Sequence, residues 1–330
     1  NQPDPFRRYK DAPLIRLPLL TSKDEPSSPS YDSLYSSESI ISQSVNLNSL
    51  SRFFEYSLSI TAWKEYGGNR WALRSNPSSG NLHPTEGYLL VRKIEGLPLE
   101  PGLYHYAPKE HGLEYRMKGI NKCLEDLLQP FPLQSFLIGL SSIHWREAWK
   151  YGERAFRYCQ HDIGHAIGTL RIAGTTLGWR VTILSGLDDR AVETLLGLNR
   201  LHEFEQTEPE FPELICVVFP NETSQLETIP LSLDKTVIEK CAQGHWQGKA
   251  CRLSRDNPIP WEIIDEVTKA TWKHSDEQAL LPLFPSSKTH NEPKTKDLSL
   301  IHISEHTRQM LISYAVFCLK KKRVGGWGGG

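Results

Sequence analysis

The chain has 330 residues, of which 38% are apolar and 23% charged, and its formal net charge is −1 at pH 7. This length suffices for one large domain or two of ordinary size. A nearly neutral chain lacks the concentrated positive charge that general binding to nucleic acid or to an anionic membrane requires. No apolar run approaches the roughly 20 residues that cross a bilayer. The sequence therefore predicts neither a nucleic-acid partner nor a membrane partner.

The cysteines are scattered along the chain, and none of them forms a Cys-x-x-Cys motif. In a chain of this length, that pattern predicts reduced, structural thiols and a cytoplasmic location. It disfavours a disulfide framework or a zinc ribbon. The six residues are Cys123, Cys159, Cys216, Cys241, Cys251 and Cys318.

Residues 1–45 are rich in Pro, Ser and Asp and lack periodicity, which predicts a largely irregular N-terminal arm. From Leu47 onward, Leu50, Phe53, Phe54 and Leu58 recur at helical spacing. This helix is expected to lead through Gly67-Gly68 into the next segment.

The stretch from Trp71 to Leu90 begins and ends apolar but contains a dense polar turn. Pro77 fixes its own φ, Gly80 lets a flat ligand approach the backbone, and Asn81 offers both donor and acceptor atoms. Arg74 adds a permanent cation. Such a turn suits a planar, polar-edged ring that carries a phosphate, such as flavin mononucleotide (FMN). The same residue types also make ordinary surface turns, so that interpretation stays open.

The chain from Glu86 to about Arg116 reads as a β meander, and residues 119–140 as a short helix followed by a buried strand. The longest helical pattern runs from about Trp145 to Leu177 with one apolar stripe. Glycines on or near that stripe predict close packing against another backbone. They are Gly164, Gly168 and Gly174.

A strand is expected at residues 181–184, a turn at Ser185-Gly186, a short helix after Asp188, and a buried strand at residues 213–219. Four segments follow from this pattern: the arm at 1–45, a domain at 46–220, a connector with the start of a truncated second domain at 221–285, and a low-complexity tail at 286–330.

Two motifs in order resemble the nitroreductase superfamily, and most of all its SagB/ThcOx-type dehydrogenase branch. The first is Arg74-x-x-Pro77-Ser78-x-Gly80-x-x-x-Pro84-x-Glu86, and the second runs from Lys150-Tyr151 through Arg157 to Gly178-Trp179. The resemblance implies an α+β nitroreductase-like fold, a mainly antiparallel sheet with helices around a long central helix. It also implies an FMN-dependent oxidoreductase that passes hydride through flavin N5.

The same resemblance assigns the site residues. Arg74, Ser78, Ser79, Gly80 and Asn81 would position the FMN, and Arg74 would favour its reduced form. Backbone at Ser185-Gly186 would approach N5, while Tyr151 and Arg157 would line the site. Family members build the site across two such domains, so a second copy of the chain or a missing second domain is expected as partner. The substrate would be a small molecule or a peptide, with NAD(P)H as a candidate electron donor.

The sequence departs from the family pattern in one respect. Residues 37–44 contain no Arg, where relatives carry an Arg-Arg-Ser-like element that helps to hold the FMN phosphate. A flavin-free, degenerate structural module is therefore the alternative hypothesis. A zinc hydrolase using His161 and His165 is a third, because the two lie four residues apart on one helix face, but no Glu stands between them. No metal site and no catalytic residue are assigned.

Overall fold

A computed structural model describes residues 2–21, 23–35, 40–221, 227–255, 259–274 and 280–282 of the chain. The predicted tail at 286–330 lies outside these ranges. The strands are β1 Tyr9–Lys10, β2 Leu14–Arg16, β3 Ile60–Tyr66, β4 Asn69–Arg74, β5 Thr85–Val91, β6 Gly102–Ala107, β7 Gly112–Lys118, β8 Phe136–Ser142, β9 Trp179–Ile183, β10 Phe211–Pro220, β11 Thr228–Pro230, β12 His245–Trp246, β13 Lys249–Ala250 and β14 Leu280–Pro282. The helices are α1 Leu47–Ser57, α2 Asn121–Leu128, α3 His144–Tyr151, α4 Ala155–Thr176, α5 Asp189–Leu196, α6 Lys235–Cys241 and α7 Glu262–Ala270.

The main sheet of the described part has eight strands in the order β12-β7-β6-β5-β8-β10-β9, with β2 also paired to β7. Its pairings are antiparallel. At one end of the sheet, Ser142 of β8 pairs with both Thr85 of β5 and Phe211 of β10. The loops that enter β5 and leave β8 therefore lie next to each other.

Helices cover both faces of this sheet. Leu89 and Val91 of β5 belong to a core cluster that also contains α1 and α4 residues, such as Phe53 and Leu170. Tyr88 and Leu90, which alternate with them along the strand, pack in the opposite cluster with residues of α2, α5 and α6. Successive side chains of a strand point to opposite faces, so a strand buried on both faces needs apolar residues at nearly every position. The α+β nitroreductase-like architecture predicted from the sequence is confirmed.

The predicted single long helix is divided. Gly152 has φ 55° and ψ −132° and ends α3. A short 3-10 turn at Gly152–Arg154 then leads into α4. A Cβ at Gly152 would lie 3.1 Å from the Trp261 ring, so both the backbone conformation and the contact favour glycine here. Helical periodicity on both sides of the break made the two helices look continuous.

The sequence interpretation also missed a hairpin before the polar turn. Strands β3 and β4 pair with each other around Gly67-Gly68, and most of their residues are exposed. Their side chains lack the apolar alternation that marks a half-buried strand.

The N-terminal arm and the expected connector pack with the sheet inside one compact unit, Asn1–Phe284. In the arm, β1 pairs with β13 and β2 pairs with β7. In the connector, β12 extends the main sheet. The segment boundaries at residues 45, 220 and 285 and the loss of a second domain stay predictions.

No helix in the described ranges combines the length and the apolar character that crossing a membrane would need. Cys123, Cys159, Cys216, Cys241 and Cys251 are free thiols, and Cys318 lies outside the described residues.

Candidate functional site

The polar turn joins β4 to β5, and a carboxylate of α4 holds it by hydrogen bonds. Asp162 accepts hydrogen bonds from the Ser79 backbone N–H at 3.0 Å and from its hydroxyl at 3.1 Å. Ser78 Oγ accepts from the His83 N–H at 2.7 Å. Asp162 is fully buried, and burial raises the pKa of its carboxyl. These bonds fix the turn and leave Pro77 and Gly80 exposed.

Asn81 is used within the protein. Its side-chain nitrogen donates to the Ala72 carbonyl at 2.8 Å, and its side-chain oxygen lies 3.0 Å from His83 Nε2. The amide therefore closes the turn onto β4. Its ability to hold a ligand as well, predicted from the sequence, is not tested by this geometry.

Gly80 and Tyr151 are brought together, as the predicted site requires. Gly80 has φ 64°, and a Cβ there would lie 2.6 Å from Tyr151 Oη and 3.0 Å from Lys150 Nζ. The Tyr151 ring packs on Tyr158 with the ring centroids 4.4 Å apart. A phenol and an ammonium thus stand directly over the turn at the end of α3.

Arg74 lies elsewhere than expected. It closes β4 rather than standing in the polar turn, and it is only 7% exposed. Its guanidinium donates to the Pro5 carbonyl at 2.5 Å and to the Thr85 carbonyl at 3.4 Å. Burial lowers its pKa to about 10. In the structure it ties the N-terminal segment to the start of β5.

The surface beside the turn is cationic. Lys150, Arg154 and Arg157 are exposed where α3 gives way to α4. His165 is also exposed, and its Nδ1 lies 3.2 Å from the Pro77 carbonyl. A phosphate-bearing planar group fits this surface in charge, and Pro77 and Gly80 offer it exposed backbone.

Ser185 and Gly186 lie apart from the turn. They follow β9, and β8 and β10 lie between that strand and β5 in the order of the sheet. The Gly186 N–H donates to the Leu231 carbonyl at 2.8 Å. The Ser185 carbonyl accepts from Lys273 Nζ at 2.5 Å. These two backbone groups are therefore engaged within the chain.

Sequence reasoning missed a buried charged cluster beside β5, apart from Glu86, which belongs to the first motif. His105 is fully buried between two carboxylates, with Nε2 2.8 Å from Glu86 and Nδ1 2.9 Å from Glu114. Glu86 also pairs with Arg146, and Glu114 with Arg8 at 2.6 Å. The His105 pKa is raised to about 9 by its bonds to the two carboxylates, against the effect of burial.

This cluster, which we call the Glu86–His105–Glu114 network, connects three neighbouring strands to α3. The Glu86 pKa is lowered to about 2 because Arg146 and His105 outweigh desolvation. Arg146 further donates to the His83 carbonyl at 2.8 Å and to the Asp4 carbonyl at 3.1 Å. The sequence signal for the network is charged residues inside strands that otherwise read as apolar.

His161 and His165 are both exposed on α4. Within the described ranges, no group of three or more His, Cys, Asp or Glu side chains is arranged to hold a metal ion.

Residues 66–206 match the sequence model of the nitroreductase family. This part of the chain, which contains the turn, α3 and α4, is a nitroreductase-family domain. Over 127 residues the chain is 27% identical to the "Putative nitroreductase" of Methanocaldococcus jannaschii, an alignment that covers 37% of this chain and 63% of that protein.

Among solved structures, the chain is similar to one described as a "putative nitroreductase" from Anabaena variabilis. The TM-score is 0.54 at 22% identity, over 84% of this chain and 50% of that one. The microcin synthetase McbBCD complex of E. coli gives a TM-score of 0.43 at 17% identity, over 62% of this chain and 77% of that chain. The chain thus spans only 63% and 50% of the lengths of the first two proteins.

Proposed function

We propose that this chain is an FMN-dependent oxidoreductase of the SagB-type dehydrogenase branch. The observation that carries the proposal is the turn at residues 77–81, inside the nitroreductase-family domain. Asp162 anchors it, and the cationic end of α3 covers it. When bound, FMN would supply hydride transfer through its N5 atom.

The chain's own residues would act through position and charge. Pro77 and Gly80 would face the ring. Lys150, Arg154 and Arg157 would attract the phosphate, because exposed cations beside a fixed backbone turn favour an anion. Tyr151 Oη would donate to the ring edge. This set replaces the Arg element that residues 37–44 lack.

A second copy of the chain, or a second domain of a longer protein, would complete the site. Gly164 is exposed on α4 and Gly168 is half-buried, and a Cβ on either would meet no atom of the described residues within 4 Å. Small residues on an uncovered helix face permit close approach of another backbone. Gly174, by contrast, already packs against Val181 at 2.7 Å. The proposed substrate is a small molecule or a peptide, with NAD(P)H as electron donor.

A flavin-free structural module is the second candidate, and a specific observation favours it. The backbone donors expected to meet the flavin are already engaged: the Ser79 N–H by Asp162 and the Gly186 N–H by Leu231. Tyr151 also fills the space directly over Gly80.

Retention of flavin by the purified protein distinguishes the FMN-dependent oxidoreductase from the flavin-free structural module. Protein incubated with excess FMN and then desalted should keep the visible flavin absorbance. Lys150→Ala should reduce retention several-fold, since it removes the ammonium nearest Gly80. Lys122→Ala, at an exposed position on α2, is the matched control and should change nothing. Unaltered protein that keeps no flavin would leave the structural module as the function.

Oligomeric state tests the partner separately. Light scattering should report a dimer, and Gly164→Leu should dissociate it while leaving the circular dichroism spectrum unchanged, because a Cβ at Gly164 would have no described atom within 4 Å. A flavin-loaded monomer would overturn the requirement for a partner.

A further inference from the structure

A cavity of about 290 Å³ lies where α3, α4, α5, β10 and the end of α7 meet. This volume is close to the lower limit of about 300 Å³ for small-molecule pockets. It can hold a ligand about the size of one ring with a short side chain. We call it the His144 pocket.

One wall of the His144 pocket is aromatic. The His144 ring stacks on Phe211 with centroids 4.3 Å apart and planes 10° apart, and Phe156 meets it edge-on at 5.7 Å. His144 is 5% exposed, and its Nδ1 has no hydrogen-bond partner among the residues that the structure describes. Burial lowers its pKa to about 4, so the ring is neutral at pH 7. Buried polar atoms in proteins nearly always form a hydrogen bond, so this nitrogen indicates that a polar group of a ligand could bind beside it.

The lining of the pocket also contains two carboxylates. Glu213 accepts from Gln160 Nε2 at 2.9 Å, and Asp189 accepts the Lys273 backbone N–H at 2.9 Å. The Lys273 ammonium is engaged by the Ser185 carbonyl at 2.5 Å. The pocket therefore presents two carboxylates against a single ammonium that already has an acceptor.

We propose that the His144 pocket binds a small organic ammonium ion with an aromatic or compact apolar body. An ammonium carries three donors and no acceptor, which matches Glu213, Asp189 and the free lone pair of a neutral His144. The Phe211, Phe156 and Trp272 rings provide faces for the body and for cation–π attraction. Charge excludes a carboxylate or a phosphate from the same place.

Because the two carboxylates of the pocket titrate, binding of an ammonium ion there should depend on pH. Burial raises the Glu213 pKa to about 6 and raises that of Asp189 above its ordinary value. The other titratable groups near Glu213 and Asp189 include Asp188 just before α5, Cys159 on α4, His144 on α3, and Lys273 and His274 after α7. Because only an ionised carboxylate attracts the ammonium strongly, affinity should rise as the pH increases through 6.

Isothermal titration with benzylamine, on protein without added FMN, tests the proposal. Benzyl alcohol is the neutral comparison ligand. Benzylamine should bind, and Glu213→Gln should weaken it about tenfold or more and flatten its pH dependence. Glu153→Gln, which removes an exposed carboxylate outside the pocket, is the matched control and should leave the affinity unchanged. The flavin plays no part in this measurement, so its outcome is separate from that of the proposed function.

A comparison within the unaltered protein keeps the test decisive if Glu213→Gln does not fold. Benzylamine affinity should increase between pH 5 and 7, while benzyl alcohol should show no such rise. The proposal is overturned if benzylamine does not bind, if both ligands bind equally well, or if a folded Glu213→Gln protein binds benzylamine as tightly as before.

Discussion

Arg146→Met offers a sharp test of what holds the candidate site in place. Arg146 is 1% exposed and meets three separate parts of the chain: the Glu86 carboxylate, the His83 carbonyl at 2.8 Å and the Asp4 carbonyl at 3.1 Å. Met keeps much of the apolar stem but removes every donor. The variant therefore leaves the Glu86 carboxylate buried with one partner fewer.

The expected magnitude follows from that contact set. Removing one member of a buried ion pair costs about 3–5 kcal/mol, because the remaining charge stays desolvated. His105 remains 2.8 Å from Glu86 and compensates part of the loss. We therefore expect the free energy of unfolding to fall by about 3 kcal/mol, near the lower limit.

Urea unfolding followed by tryptophan fluorescence measures this change from the transition midpoint and slope. Arg154→Met is the matched control: Arg154 is exposed at the start of α4, and its loss should stay within about 0.5 kcal/mol. The double variant Arg146→Met/Glu86→Gln should lose clearly less than the sum of the two single variants, since it removes both charges. If Arg146→Met lowers the free energy of unfolding by less than about 1 kcal/mol, the reasoning is refuted, because removing one partner of a buried ion pair should destabilise the protein more than that.

Three further outcomes are expected. The His105 pKa of about 9 lies above its ordinary value of 6.5. The protonated ring therefore stabilises the folded protein fully below pH 6.5, and this contribution is lost as the pH rises towards 9, so the free energy of unfolding should fall over that window. The variant His105→Asn should show no such fall between pH 6.5 and 9. Gly80→Ala should lower the free energy of unfolding by about 1–2 kcal/mol because of the left-handed backbone, and by more because the new Cβ contacts Tyr151. The loss should therefore be smaller when Tyr151 is also replaced by Ala, and equal losses in the two backgrounds would contradict that contact. Arg74→Ala should lower the free energy of unfolding by about 1.5–3 kcal/mol, because it removes a buried guanidinium and its hydrogen bonds to backbone carbonyls. Unchanged stability together with a shifted reduction potential of bound FMN would instead favour a role of Arg74 at the flavin.

Local sequence signals predicted much of the fold. Helix α5 follows its N-cap Asp188, whose side chain accepts the Ala191 N–H, and ends at Gly197 in the left-handed conformation. Strand β10 was expected from its apolar run and forms at residues 211–220. These features depend on neighbouring residues, so the sequence contains the information directly. The two ordered motifs likewise indicated the family of the domain.

The positions of buried charges depended on contacts between distant residues. Arg74 looked like a loop cation because nothing nearby in sequence required it, yet its main acceptor is Pro5, at the other end of a long chain segment. The same holds for Asp162, which lies 83 residues beyond the serine that it holds. Neither spacing nor composition predicts which carbonyl or N–H such a side chain will reach.

The sequence by itself determined that residues 77–81 form a fixed polar turn, because proline and glycine restrict or extend φ wherever they occur. It also determined the continuous apolar run at the end of β5, residues 88–91, which suits burial on both faces. Only the tertiary structure decided that the turn rests on Asp162 and faces Tyr151, and that Ser185 and Gly186 lie several strands away. The physical reason is range: backbone preference acts within a few residues, whereas a buried charge takes its partners from whichever elements the folded core brings to it.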